Sequence, residues 1–244
     1  MHKYCIGIAG LVLAVAAACG GTDNAAGEPL AVYAAASLAE VFPEIDSEAS
    51  YSFAGSDELA TQIREGAPAD VYAAASSKYP QELYDERLVE KPVTFASNRL
   101  VLIVPRDNRA AIESAEDVLQ AGTRLVIAAE GVPVGDYTRT ALEALGLSAA
   151  LENVVSNEDD VKGVVGKVAL GEADAGFVYA TDVTAVADDV LSFELPDRAQ
   201  PAIEYQVAVV VDSDDEDAAA EFVELLRGGE GREALERAGF VVRS

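Results

Sequence analysis

The chain predicts an α/β protein in two lobes, each a mostly parallel sheet flanked by helices. Three observations predict it. Short runs rich in β-branched residues alternate with helical patterns from residue 30 to the C-terminus. Several of these runs are apolar throughout, as strands covered on both faces are. The helical segments carry their own start and stop residues, and so many elements over this span suit two lobes better than one.

Taken in order, the runs at 30–35, 70–74, 100–104, 125–129, 175–179 and 205–211 read as strands, with a weaker one at 190–195. Ser56 precedes Asp57 and Glu58, Leu59 and Ile63 share a face, Arg64 falls in the last turn and Gly66 follows, so a helix runs between them. The same logic gives helices at 137–145, ended by Gly146, and at 161–170, ended by Gly171. Two more follow at 216–226 and 231–238. The acidic run 212–217 lacks the glycine and glutamate of a calcium loop and reads as a solvated turn opening a helix.

The first 29 residues are of another kind. His2 and Lys3 precede an apolar run, and Ala16, Ala17 and Ala18 close it before Cys19, as in an export signal over 1–18. A cysteine directly after the small residues resembles the lipobox of bacterial lipoproteins, which implies lipidation of Cys19. Residues 19–29 are then a tether, and the protein is anchored outside the cytoplasm.

Composition removes whole classes of function. The chain of 244 residues has 17 Lys+Arg against 43 Asp+Glu and a net charge of −26, so it cannot supply the cations that phosphate-backbone binding needs. Nucleic acid is excluded as a partner. Both cysteines and the single histidine lie within the first 19 residues, so after processing no Ser-His-Asp or Cys-His enzyme and no His/Cys zinc site remains.

The candidate site residues stand at strand-to-helix junctions. Residues 32–37 (VYAAAS) recur at 71–76, each a buried strand handing over to a serine, and such carboxyl edges are where open α/β sheets bind ligands. Ser37, with Glu40 three residues on, has capping-box spacing, so it reads first as a cap and second as a ligand contact. Ser56, after Gly55, divides the same way. Val134 lies in 132–135, a turn leading into a helix that can present its amide, although as a lone motif it is weak. Val161 lies in the first turn after Asp160, where amides lack partners, and Tyr179 ends a strand.

Together and in order, these segments resemble the periplasmic molybdate-binding proteins of ABC importers. The resemblance rests on AVYAAASLAEVF (31–42), SFAGSDELATQIREGAPADVY (52–72), NRLVLIVP (98–105), GVPVGDYTRTALEALGL (131–147), EDDVKGVVGKVALGEADAGFVYATD (158–182) and YQVAVV (205–210). It implies a type II two-lobed binding fold with two crossover strands as hinge, near 100–104 and 205–211. The lobes would be 30–97 with 204–244, and 98–203. It implies a monomeric, non-catalytic receptor that captures molybdate or tungstate and delivers it to an ABC permease in the cytoplasmic membrane. Ser37 and Ser56 would ligate the oxyanion through hydroxyl and amide, Val134 and Val161 through amides, and Tyr179 through its phenol. No cofactor is implied, and metal enters only as the centre of the oxyanion held by these same residues. A site made only of donors disfavours a protonated oxyanion such as hydrogen phosphate, whose OH finds no acceptor.

Several residues depart from that pattern. Pro43 falls inside the first helix and should cut it to about a turn. Asp57 and Glu58 follow Ser56 and would repel a dianion if they faced it, which keeps open a receptor for another oxyanion such as sulfate. Ser76 stands where the family often carries Asp. A carboxylate-dependent lipoprotein enzyme would have to use Asp136, Glu158 and Asp160, the clustered acids near the cleft, among which there is no acid/base pairing logic.

Overall fold

The computed structural model describes residues 28–242. The export signal, Cys19 and most of the tether lie outside the described residues. The first strand, β1 (Ala31–Ala35), runs through a short 3₁₀ turn into the one-turn helix α1 (Phe42–Ile45); Pro43 lies at its start rather than inside it, where proline is tolerated, and the helix ends where Asp46 turns extended. Then follow β2 (Ser50–Ala54), α2 (Ser56–Arg64), β3 (Val71–Ala74), α3 (Lys78–Asp85) and β4 (Val93–Asn98). A second group holds β5 (Leu100–Pro105), β6 (Leu125–Ala128), α4 (Pro133–Leu145), β7 (Val154–Glu158), α5 (Val161–Ala169), β8 (Ala175–Tyr179) and β9 (Val190–Glu194). The chain ends with β10 (Ile203–Val209), α6 (Glu216–Arg227) and α7 (Gly229–Arg237).

Two five-stranded sheets result, in the orders β2-β1-β3-β10-β4 and β7-β6-β8-β5-β9. Each is mixed rather than mostly parallel. Three neighbouring strands in each run parallel, while β10 in the first and β5 in the second are antiparallel to both neighbours. Those two strands are the ones that enter a sheet directly from the other lobe, which reverses their direction. The parallel trios therefore present all their carboxyl ends at one edge of each sheet.

The crossovers are short and tied together. Only Arg99 separates β4 from β5, and residues 195–202 join β9 to β10. Gln200 hydrogen-bonds both backbone groups of Leu100, accepting from its N–H and donating to its C=O at 2.9 Å. Asn98 donates to Thr181 at 2.9 Å and accepts from the Arg99 N–H at 2.9 Å. On the first sheet Phe42, Phe95, Phe222, Tyr205 and Phe240 form an aromatic core, with Phe42 edge-on to Phe222 at 5.6 Å between ring centroids. The C-terminal helices belong to this lobe: α6 packs on β10, α7 on α1, and Val241 bridges backbone to backbone with Ser97.

Strand positions match the sequence reading within a residue or two where strands are central, and β2, β4 and β7 were not expected. All three are edge strands with one neighbour and mix polar with apolar residues, so they lack a continuous apolar run. Helix α4 starts at Pro133, four residues before the expected start at 137, because proline at the first helical position gives up no intrahelical bond. Asp215 caps α6, accepting from the Ala218 N–H at 3.1 Å, as the acidic run led one to expect.

Candidate functional site

The repeated VYAAAS segments lie side by side. Val32, Tyr33 and Ala34 of β1 pair in parallel register with Val71, Tyr72 and Ala73 of β3, so both copies reach the same sheet edge together. Their small alanines leave that edge open to the adjoining helix starts. Ser37 sits just past β1, and Ser56 opens α2 just past β2.

Neither serine caps a helix. The residue before α2 is Gly55, and the Ser56 Oγ accepts instead from the Ala75 N–H at 3.1 Å, bridging to the end of β3. Ser37 lies inside its 3₁₀ turn, makes no capping bond, and its Oγ is 2.8 Å from the Tyr205 hydroxyl. The capping-box expectation for Ser37 and Glu40 fails because Ser37 lies inside the turn rather than before it, the residue before the turn being Ala35, and its hydroxyl is taken up with Tyr205. Tyr72 donates to the Ser56 carbonyl at 2.6 Å, fixing the entry to α2.

From the second lobe come two helix starts and one strand end. Val134 is in the first turn of α4 and Val161 opens α5, so their amides lie among the first N–H groups of a helix, which have no carbonyl one turn back. Asp160 caps α5, its carboxylate accepting from the Gly163 N–H at 2.9 Å. Tyr179 ends β8, 1% exposed, its ring edge-on to Tyr205 at 5.8 Å. The Tyr179 hydroxyl is buried and has no hydrogen-bond partner among the described residues. Burial holds its pKa far above the ordinary phenol value, so it stays a donor.

All five sequence-predicted residues, Ser37, Ser56, Val134, Val161 and Tyr179, line one cavity of about 20 Å³ between the two sheet edges. By this measure a single water needs roughly 10–15 Å³, so the space suits a compact ion rather than a sugar or an amino acid. Alanines 35, 36, 54 and 75, Gly55, Val132, Pro133 and Asp160 complete the wall, and no Lys or Arg is among them. Asp160 is the one acidic lining residue, and its carboxylate is engaged by its own helix. Two glycines allow the close approach. A Cβ on Gly55 would meet the Asp159 carbonyl of the other lobe at 2.6 Å, and one on Gly135 would meet the Ala129 carbonyl at 2.2 Å.

Of the nearby acids, Asp57 has one carboxylate oxygen buried with no hydrogen-bond partner among the described residues, and Glu58, Asp136 and Glu158 are engaged elsewhere. Asp57 does not line the cavity, and burial pushes its pKa up; Glu58 is exposed and accepts from the Gln62 side chain at 3.0 Å. Asp136 accepts from the Gly131 N–H at 2.8 Å, and Glu158 pairs with Lys167 at 2.8 Å. The pairing an acid/base enzyme would need is absent among them. Ser76 is buried, and its hydroxyl has no hydrogen-bond partner among the described residues.

Sequence reasoning missed two polar groups behind the cavity. Tyr205 links Ser37 to the crossover at Asn98, whose side-chain amide lies 3.4 Å from the Tyr205 hydroxyl. Asp182 has a fully buried side chain 3.2 Å from the Lys162 ammonium, and burial raises its pKa to about 6 against that cation's pull. Each occupies an ordinary apolar or loop setting in the sequence, with no pattern to mark it.

Comparison with known proteins shows the family and the fold. The family model of the bacterial extracellular solute-binding proteins matches residues 30–241. A molybdate-binding protein of Mycobacterium bovis is 34% identical, over 86% of this chain and 84% of its own. One from Escherichia coli is 30% identical, over 88% of this chain and 89% of its own. The solved structure of the Azotobacter vinelandii periplasmic molybdate-binding protein superposes with a TM-score of 0.77 at 23% identity, covering 88% of this chain and all of that one.

Proposed function

This chain belongs to the bacterial extracellular solute-binding protein family, and from that premise we propose that it is the molybdate receptor of an ABC importer. One observation carries the proposal. Five residues from separate elements of both lobes line a single small cavity without Lys or Arg, and one of them, Tyr179, brings a buried hydroxyl with no partner among the described residues. A tetrahedral oxyanion supplies the acceptors these groups lack.

The hydroxyls and amides of Ser37 and Ser56, the amides of Val134 and Val161, and the Tyr179 phenol make seven neutral donors. At about 1.5–3 kcal/mol each, hydrogen bonds to a charged group sum to more than the roughly 8 kcal/mol of a micromolar Kd. The surplus offsets desolvation of the dianion and closure of the lobes. Helix starts add favourable partial charge at α4 and α5. Tungstate, close to molybdate in size, is a second ligand of the same site. The protein is a monomer without catalytic activity or cofactor, its lobes comprising 30–97 with 204–244 and 98–203. It is held outside the cytoplasmic membrane through lipidated Cys19 and passes the anion to a membrane permease.

Calorimetric titration with molybdate, tungstate, sulfate and phosphate at one ionic strength tests the proposal. Tight one-to-one binding of the first two, with sulfate at least about a hundredfold weaker, is the expected result. Sulfate binding equal to molybdate, or no binding of any of the four, overturns it.

A further inference from the structure

The two lobes touch beside the cavity through residues that do not line it. Tyr79, in the first turn of α3 and 7% exposed, donates its hydroxyl across the cleft to the carbonyl of Gly131. Gly131 has φ of +94° and directs its N–H to the Asp136 carboxylate at 2.8 Å. The other oxygen of Asp136 lies 3.9 Å from the Lys78 ammonium. Lys78 in turn sits 4.8 Å above the Tyr79 ring centroid, with its nitrogen 3.3 Å from the Tyr79 hydroxyl. The four residues form a closed ring of contacts, two from each lobe. Between Gly131 and Asp136 runs the turn that carries Val134.

We propose that Tyr79, supported by Lys78, is a positioning residue that latches the closed lobes and fixes the turn presenting the Val134 amide, thereby setting how long the bound oxyanion is held. The inference rests on the oxyanion-receptor reading and names a group outside the ligand shell. Its physical basis is a difference between states. The Tyr79 to Gly131 hydrogen bond joins the two lobes, so opening must exchange it for bonds to water. The bond therefore favours the closed state selectively, and an interaction that discriminates between two states shifts their populations. Tyr79 brings the specificity, because its buried ring fixes where the hydroxyl points. The exposed Lys78–Asp136 pair adds a smaller, salt-sensitive part.

Tyr79→Phe keeps the ring and removes the donor. In stopped-flow displacement of molybdate, the variant should release the anion about two- to tenfold faster than wild type, with the association rate changed less than about twofold. Without ligand, small-angle scattering should show the variant more expanded, and amide exchange of residues 131–136 should speed up. Lys78→Gln should produce the same changes in smaller measure, vanishing at high salt. Release rate, scattering and exchange all unchanged in Tyr79→Phe would overturn the latch. If wild type bound no molybdate, the receptor reading would fall, while the ligand-free scattering and exchange would still decide the latch by the same criteria.

Discussion

The Ser37 hydroxyl and the Tyr205 hydroxyl lie 2.8 Å apart, joining a cavity residue to the strand that re-enters the first lobe from the second. Tyr205 is fully buried and also lies 3.4 Å from the amide of Asn98 at the other crossover. The cavity wall and both interlobe connections thus share one hydrogen-bonded group. Movement of the crossovers is felt at Ser37.

Replacing Tyr205 by Phe leaves the Ser37 Oγ and the Asn98 amide each short of a partner in a buried setting. The cost should be about 1–3 kcal/mol of stability, read as a lower midpoint in urea unfolding. Anion affinity should fall as well, because the Ser37 rotamer is no longer held.

Tyr179→Phe should behave differently. Its hydroxyl has no partner to lose, so thermal stability of the ligand-free protein should stay level or rise slightly. Affinity for molybdate should drop about 10- to 150-fold, the equivalent of one hydrogen bond to a charged group at about 1.5–3 kcal/mol. Calorimetry with melting curves, with and without anion, separates the two effects. An unchanged affinity would remove Tyr179 from the site.

Gly55→Ala places a methyl 2.6 Å from the Asp159 carbonyl across the cleft, while its φ of −59° suits alanine. The fold should survive and closure should not. The expected signature is a near-normal melting temperature without ligand together with affinity lowered by at least about tenfold, which calorimetry checks.

Asp182 gives a pH signature with a definite sign. Its carboxyl pKa in the folded chain is raised to about 6 from 3.8, so the folded state holds the proton more tightly than the unfolded state does. Its contribution to stability is full below about pH 4 and is lost as pH rises through 6, an order of 3 kcal/mol across the window. In Asp182→Asn, that component of the pH dependence should be missing from urea unfolding measured between pH 4 and pH 7.5. Matching profiles for wild type and variant would refute the assignment.

The net charge of −26 should repel an approaching anion, and only screening relieves it. Association of molybdate, followed by tyrosine fluorescence, should accelerate as ionic strength rises from about 10 to 200 mM. A rate that falls with salt would mean that local positive potential at the helix starts outweighs the average field.

The sequence by itself determined the class of the fold and the central strands and, through its resemblance to a known family, five of the residues that meet in the cavity. Central strands covered on both faces run largely apolar, so β1, β3, β5, β6 and β8 announce themselves, while β10, equally central, carries Glu204 and Gln206 and shows itself only in its apolar second half. The helix starts at Ser56 and Val161 are legible for a similar reason, since local residue chemistry marks helix ends, whereas α4 starts at Pro133, four residues ahead of its expected start. Tertiary structure decided the rest. Edge strands β2, β4 and β7 owe their pairing to a neighbour, and their half-exposed sequences say little alone. Whether Ser37 and Ser56 cap their own helices or bond to Tyr205 and Ala75 depends on groups 168 and 19 residues away, which no local spacing encodes. The same holds for Tyr79, whose hydroxyl finds Gly131 only because the two lobes face each other. Periodicity and capping report forces between near neighbours in the chain, whereas the cleft is made by contacts between elements far apart in it.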